Sequence, residues 1–513
     1  MIPTEIYDYL IVGQGLAGTL LGHELMKAGQ RVLFVDGKHQ GTASQVAAGI
    51  INPITGRRFV KSWMIETLLP QAMTTYHELE NLLGERFLFE RQIYRALHDP
   101  GEENEWSTRA AIPEYAHYVE GLLDQTVFPQ GIKAPHQIGV LQHGGQVLIP
   151  RLIAAFRIYL SDQSVLLEAA FDYEDLTLSQ GQVSYRDLRA KQVIFCEGFR
   201  VLQNPWFAYL HMVLAKGEVL LIEAPDLKLE QIFKKKLIYA PLGNGLFWAG
   251  ATYQWNYPHL EKSDWAYEEL LEKVKTDLTV DFKVVQHLAA IRPTVHDRRP
   301  LLGKHPDHPQ LNVFNGLGTK GASLGPYWAK QMSTFLLGQT ELPSVVDIQR
   351  FAHKRKETHQ FLQPTIYKAQ VRDHQTLSDI TFQSKAHWGY TPQQMETWRD
   401  ELRIDQKYIR QNIVYVLVYR QQMIGYYAFL AKKAAALHLD NLFVLPAFIG
   451  KGFGRQLMQH AFETAKKLRA KSIRLAADPH AVAFYEKLGF KTIDQQASSI
   501  PGRFLPIMSL EMA

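Results

Sequence analysis

The chain has 513 residues, with 56 basic and 51 acidic side chains for a formal charge of +5, and is 46% hydrophobic and 21% charged. That length exceeds what one hydrophobic core usually serves, so two or three domains are expected, and the near-average composition excludes a largely disordered or fibrous chain. The small net charge shows no basic stripe for nucleic acid, and the single cysteine, Cys196, excludes an intrachain disulfide and a cysteine-based metal cluster.

The apolar run at 9–21 follows Glu5 and Asp8 and carries Gly13, Gly15 and Gly18, which is wrong for a signal peptide. No uninterrupted apolar stretch reaches the roughly 18 residues of a membrane span. A cytoplasmic enzyme is expected, with no membrane partner, no metal and an affinity for anionic small molecules. Residues 7–12 read as a buried parallel strand, followed by the turn Gly13-Gln14-Gly15-Leu16-Ala17-Gly18 and a helix through Leu25. Gly13 permits the tight turn, Gly15 lets backbone approach a pyrophosphate, and Gly18 lets helix and strand pack closely. The helix N-terminus offers unpaired N–H groups to the phosphates. A second strand at 30–35 ends in Asp36, whose carboxylate accepts hydrogen bonds from an adenosine ribose. NAD and FAD both satisfy this unit.

The downstream segments favour FAD. Thr42-Ala43-Ser44-Gln45-Val46-Ala47-Ala48-Gly49, Val193-Ile194-Phe195-Cys196-Glu197-Gly198, Lys216-Gly217-Glu218 and Gly250-Ala251-Thr252 follow in order. Ile291-Arg292-Pro293-Thr294, with Asp297, Pro300 and Gly303, and then Gly316-Leu317-Gly318-Thr319-Lys320-Gly321 complete the series. Together, residues 7 to about 351 resemble the D-amino acid oxidase and glycine oxidase superfamily of FAD enzymes. The resemblance implies a GR2-type Rossmann FAD-binding domain with a mixed-sheet substrate domain. It also implies FAD contacts at Gly13, Gly15, Leu16, Ala17, Gly18, Asp36, Gly37, Ser44, Gln45, Ala48, Gly49, Gly198, Gly318, Thr319, Lys320 and Gly321. Arg292 is implied to sit over the flavin and grip a substrate carboxylate in two-point fashion. Lys320 is implied to stabilise negative charge on the reduced flavin. Relatives that bind flavin covalently use a histidine before Ala-Ala-Gly or a cysteine near the C-terminal side; Val46 and the lack of such a cysteine imply noncovalent FAD. Glu197 stands where the family usually has alanine. Arg57 and Arg58 are candidates for an anionic substrate tail, and Tyr239 and Tyr253 for substrate-side aromatics.

From 338 to 364 the texture changes, with Pro343, the basic stretch His353-Lys354-Arg355-Lys356 and Pro364. The expected domains are therefore 1–354, a linker at 355–366, and 367–513. In the last, a strand at 437–444 leads to Ile449-Gly450-Lys451-Gly452-Phe453-Gly454-Arg455 and a helix at 456–468. A strand at 472–477, Asp478-Pro479 and a helix at 481–488 ending in Gly489 follow. These segments resemble the GNAT acetyltransferase family. The resemblance implies acetyl-CoA binding by Val444, Gly450, Gly452, Phe453, Gly454 and Arg455, with Tyr485 as the acid that protonates the leaving thiolate and Asp440 as the acceptor of the amine proton. Ile449 departs from the arginine or glutamine usual at that turn. Ser384-Lys385-Ala386-His387-Trp388-Gly389-Tyr390 resembles acceptor-side helices of the family's small-molecule subset.

The fold class expected is thus α/β and α+β, a Rossmann flavoprotein followed by a GNAT domain. The function expected is bifunctional: FAD-dependent oxidation of the C–N bond of an amino acid or N-substituted amine, and acetyl-CoA-dependent N-acetylation of a small amine. Two alternatives stand beside it, a flavoenzyme modifying transfer RNA, and retention of one domain as a non-catalytic ligand-binding module. Oligomeric state is left open.

Overall fold

The computed structural model describes residues 6–37, 41–179, 181–210, 212–255, 261–354, 364–419, 422–430, 436–498 and 503–512. It divides into two compact units, Met1–Arg355 and Lys356–Ala513. The expected linker at 355–366 lies outside the described residues over 355–363.

In the first unit, the strand Tyr7–Val12 is buried from Tyr9 onward. It lies between two parallel neighbours, Val32–Val35 and Leu188–Phe195, with Val12 opposite Val35 and Phe195. Leu311–Asn315 extends the parallel array beyond Leu188–Phe195. Such strands are apolar throughout because helices cover the sheet. On one face the helix Leu16–Lys27 packs with Gly321–Leu336, joining Leu20, Leu21 and Leu25 to Trp328 and Met332.

A second sheet of eight strands runs in the order Lys283–Arg292, Ala215–Glu223, Leu246–Gly250, Ile238–Gly243, Ile232–Lys234, Ile93–Leu97, Gln137–Leu141, Val119–Leu122. It is mixed, because Ile232–Lys234 pairs parallel to Ile93–Leu97 while the other pairs are antiparallel. Strand alternation gives this sheet two apolar faces. Leu220, Ile222, Phe233, Tyr239 and Ala249 face the helix Asp264–Asp277. Val219, Ala240, Trp248 and Ala290 face the opposite way and meet Val46 and Ala48 from the segment that follows the first two parallel strands. That meeting creates the cavity described below.

The second unit is a seven-stranded sheet with strands Thr365–Lys368, Ile413–Tyr419, Gln422–Phe429, Ala436–Val444, Ser472–Ala476, Phe504–Glu511 and Lys491–Ala497 in spatial order. Ala436–Val444 pairs with Ser472–Ala476 in parallel, and only at Ala436, Leu437 and His438. From Leu439 on, the two strands make no pairs, which leaves a gap in the middle of the sheet beside Val444. One face packs on the helix Phe453–Lys467 through Leu457, Met458 and Ala461. The other packs on the helix His374–Ala386 through Leu377 and Ile380.

Among the described residues no helix is long and apolar enough to cross a membrane.

Candidate active sites

A cavity of about 530 Å³ runs from the first glycine turn to the mixed sheet. At the turn, Gly13 has φ +99°, and a Cβ there would lie 2.6 Å from the Cys196 carbonyl oxygen, so only glycine fits. A Cβ on Gly18 would meet the Gly13 carbonyl oxygen at 2.0 Å. The helix that follows has no side-chain cap at Gly15, and the Leu16 amide donates to Ser44 Oγ at 3.1 Å. Gly15, Leu16 and Ala17 line the cavity at this helix start, where unpaired amides favour an anion.

Asp36 lies at the cavity edge, where its carboxylate accepts from the Gln14 amide at 3.2 Å and from Arg157 at 2.7 Å. Glu197 also lines the cavity, its carboxylate accepting from Tyr173 at 2.5 Å and Asn204 at 2.8 Å, and burial pushes its carboxyl up. Its place in a strand that usually ends in alanine is thus explained by a local polar network.

Nearly every residue expected to touch cofactor lines this cavity: Gly13, Gly15, Leu16, Ala17, Asp36, Gly37, Ser44, Ala48, Gly49, Gly198, Gly318, Thr319, Lys320 and Gly321. Two do not. Gly18 is used up in helix–strand packing against Gly13 and Ile11, and Gln45 points outward and is exposed.

Arg292, the last residue of its strand, brings its guanidinium to the cavity beside Gly217, where a Cβ would clash with it at 2.2 Å. It donates to the carbonyls of Thr252 at 3.2 Å and Lys216 at 3.4 Å, and its carbon lies 4.9 Å from the Tyr253 ring centroid. Among the described residues no carboxylate pairs with it. Burial pulls its pKa down, with no acidic neighbour to oppose the effect beyond the Tyr253 hydroxyl. Lys320 also lines the cavity; its Nζ donates to Ser62 at 3.1 Å and Thr55 at 3.3 Å, and burial followed by Arg298 and Arg299 lowers its pKa.

The two aromatic candidates separate. Tyr253 lines the cavity, whereas Tyr239 is fully buried on the other face and donates to Asp277 at 3.1 Å. Arg57 and Arg58 are exposed and do not line the cavity.

In the second unit the glycine turn places Gly450 and Gly452 at φ +82° and +86°. Gly452 is the N-cap of Phe453–Lys467 and supplies no capping side chain, so the first-turn amides are open to an anion. Tyr485 is buried, its ring edge-on to Phe484 and Phe490, and burial raises its hydroxyl pKa. Its hydroxyl has no hydrogen-bond partner among the described residues. Asp440 is exposed and accepts from Tyr408 and, at 3.1 Å, from Asn441. Leu437 and Leu439 point to the core that holds Tyr485, so strand alternation directs Asp440 to the opposite face, where Tyr408 packs.

A model of the FAD dependent oxidoreductase family matches residues 8–334. The chain belongs to that family. A GNAT acetyltransferase domain matches residues 387–507, so the protein joins an FAD-dependent oxidoreductase to an acetyltransferase. An uncharacterized oxidoreductase of Bacillus subtilis, YurR, is 24% identical over 365 residues, covering 65% of this chain and 96% of that protein. The glycine oxidase of Geobacillus kaustophilus superposes with TM-score 0.56 at 22% identity, covering 68% of this chain and 98% of that one. An uncharacterized N-acetyltransferase of Bacillus subtilis, YvbK, is 30% identical over 88 residues, which are 17% of this chain and 57% of that protein.

Within this oxidoreductase unit several cavity residues carry no sequence signal of their own. Asn52 and Thr55 are legible only as part of an insertion, and Lys234 sits in a run of three lysines; Arg157, which holds Asp36 at the cavity edge, lies on a distant helix. Alternation in the strand Ile232–Lys234 and beyond is what separates the lysines: Lys235 pairs with Asp277 at 2.9 Å, whereas Lys234 faces the cavity. His23, Glu24 and Glu78 are close enough to hold a metal, but Lys27 already takes both Glu78 oxygens, at 2.7 and 2.8 Å.

Proposed function

We propose that the first unit oxidises the C–N bond of an amino acid or N-substituted amine and that the second transfers an acetyl group from acetyl-CoA to a small amine. The observation that carries the first half is Arg292, a cavity guanidinium held by two carbonyls and lacking a carboxylate partner among the described residues. A substrate carboxylate would complete it in two-point fashion and hold the neighbouring carbon in one orientation. The Tyr253 ring lies against the guanidinium, a cation–π contact.

The cavity fits FAD: uncapped amides at one end, the small residues Ala43, Ala47 and Ala48 along the wall, and cations at the other end. The first-turn amides would hold the pyrophosphate, Asp36 the ribose, and the Gly318–Gly321 turn with Lys320 the end that becomes negative on reduction. FAD, when bound, supplies the two-electron acceptor for hydride from the carbon beside nitrogen. Val46 offers no nucleophile for a covalent link, and its carbonyl accepts from Trp248 at 2.7 Å, so we read the cofactor as noncovalent.

In the second unit, the open amides of the 450–455 turn would take the pyrophosphate of acetyl-CoA. The acceptor amine forms the new C–N bond to the acetyl carbon as the C–S bond breaks, and Tyr485 gives its proton to the departing thiolate. A hydroxyl whose pKa is raised stays protonated until that moment. The amine proton leaves to Asp440 through water, because Asp440 lies on the other face of its strand and already accepts from Tyr408 and Asn441. We further propose that the acetylated amine is the one released by oxidation.

Anaerobic titration of the FAD-loaded protein with an amine panel, followed by mass analysis with acetyl-CoA present, tests both halves. Bleaching of the flavin by one class of amine and acetylation of the released amine are expected. No bleaching across a broad panel overturns the first half, and an acceptor chemically unrelated to the oxidation product overturns the coupling.

A further inference from the structure

The charges lining the cavity do not balance, and the imbalance is confined to one end. Its only carboxylates among the described residues, Asp36 and Glu197, are at the nucleotide end, and both already accept from neighbours. At the mixed-sheet end stand Arg292, Lys320 and Lys234, with no ion pair to any of them among the described residues. Lys234 has no hydrogen-bond partner there either. It lines both the main cavity and a small adjoining one, and Asn52 lines both with it. Behind it, Arg95 lines the small cavity, and its Nε is buried without a partner.

A buried ammonium without counter-charge is unfavourable unless a ligand supplies the anion. Burial first, then Arg95 and Lys320, hold the Lys234 pKa down to about 8, the response of a cation in a positive, partly dry environment.

We infer that the substrate carries a second, distal carboxylate, which Lys234 binds while Arg292 holds the carboxylate beside the reacting carbon; this rests on the amine-oxidising reading above. Lys234 pairs with Ile238, Ile238 with Gly250, and Gly250 with Val219, on the strand whose Gly217 lies under the Arg292 guanidinium. Three strand spacings, about 14 Å, therefore separate the lysine backbone from that strand before its stem reaches back. The two acidic groups are consequently several bonds apart. One ammonium with one amide suits a singly charged carboxylate; a phosphate would call for a second charge or a fork of donors. The substrate class is an amino acid ending in a side-chain carboxylate, or an N-(carboxyalkyl) amino acid.

The test uses the full-length, FAD-loaded protein and two readouts. Binding of glutarate, adipate and pimelate is compared with that of butyrate, pentanoate and hexanoate by perturbation of the visible flavin spectrum. N-(carboxyalkyl)glycines are compared with N-alkylglycines by anaerobic bleaching. A preference of about tenfold or more for the diacids is expected, lost in Lys234→Met and largely restored in Lys234→Arg, as for a charge-assisted contact. Equal binding of diacids and monoacids, or an equal loss for both in Lys234→Met, overturns the inference. Diacid selectivity that depends on Lys234 with no bleaching by any amine would leave the anion site standing and remove the oxidation reading. Bleaching without diacid preference does the reverse.

Discussion

The two glycine turns offer the same chemistry, uncapped helix amides for a pyrophosphate, but their glycines are there for different reasons. In the first, a Cβ on Gly13 or Gly18 would run into backbone carbonyl oxygens at 2.6 and 2.0 Å. In the second, a Cβ on Gly450 or Gly452 would meet nothing within 4 Å, and only the positive φ asks for glycine. The first turn is thus part of a close-packed domain interior, where the strand, the helix and the Cys196 strand meet. The second is an exposed loop whose shape is local. The two motifs therefore read alike as sequence, yet the consequence of mutating them differs.

The sharpest way to break this comparison is to add one methyl group at each turn. Gly18→Ala should lower stability by about 3 kcal/mol or more, because rigid backbone must move. The measurement is Tm together with flavin content after purification, and both should fall. Should Gly18→Ala keep its flavin and its Tm, the packing argument for the first turn is wrong.

Next in size are the two candidate chemical residues, one per unit. Arg292→Met should reduce kcat/KM of amine oxidation by roughly 100-fold while flavin content is kept, since only the two-point carboxylate grip is lost. Tyr485→Phe should slow acetyl transfer by roughly 100-fold or more with acetyl-CoA affinity retained, as for loss of a general acid. Each change should leave the other unit's activity intact when the two are assayed with separate substrates.

Gly450→Ala is the counterpart of Gly18→Ala and should cost only about 1 kcal/mol, the ordinary penalty for a side chain in the left-handed region. The second unit should stay folded by thermal melt, with acetyl-CoA binding weakened only several-fold. An effect as large as that of Gly18→Ala would erase the distinction between the turns.

The smallest effect is on pH dependence. Lys234 faces Arg95 and Lys320, with neutral Asn52 beside it and no carboxylate among the described lining residues. Its pKa near 8 means that the ammonium needed for a distal carboxylate is present below pH 8 and is lost as pH rises through that value. A bound carboxylate favours the ammonium and shifts the loss upward. KM for a diacid amine should therefore rise several-fold relative to KM for its monoacid analogue between pH 7 and about 9. A constant ratio would exclude Lys234 titration from binding.

Residue spacing made the fold largely legible. Alternating buried strands and glycine turns mark the two α/β units on the chain, and the candidates Arg292 and Tyr485 are picked out by short, local patterns. Local pattern fails where a side chain's meaning depends on a distant partner. Tyr239 and Tyr253 are equivalent as letters in neighbouring segments, yet one is bonded to Asp277 in a core and the other lies on Arg292. Arg57 and Arg58 suggest an anion site by composition but are exposed, while the cation that faces the cavity, Lys234, is hidden in a lysine run that resembles a solvated face.

What the amino-acid order alone determined is the pair of folds, because helix starts, buried strands and glycine conformations are set within a few residues. The tertiary structure decided which charges are left without a partner. Asp36 meets Arg157 from a helix more than a hundred residues away, Asp277 takes Lys235, and two separate strands of the mixed sheet bring Lys234 and Arg292 to the same cavity with no carboxylate at that end among the described residues. Electrostatic balance is a sum over neighbours in space, and those neighbours are assigned only when the mixed sheet closes on the nucleotide domain.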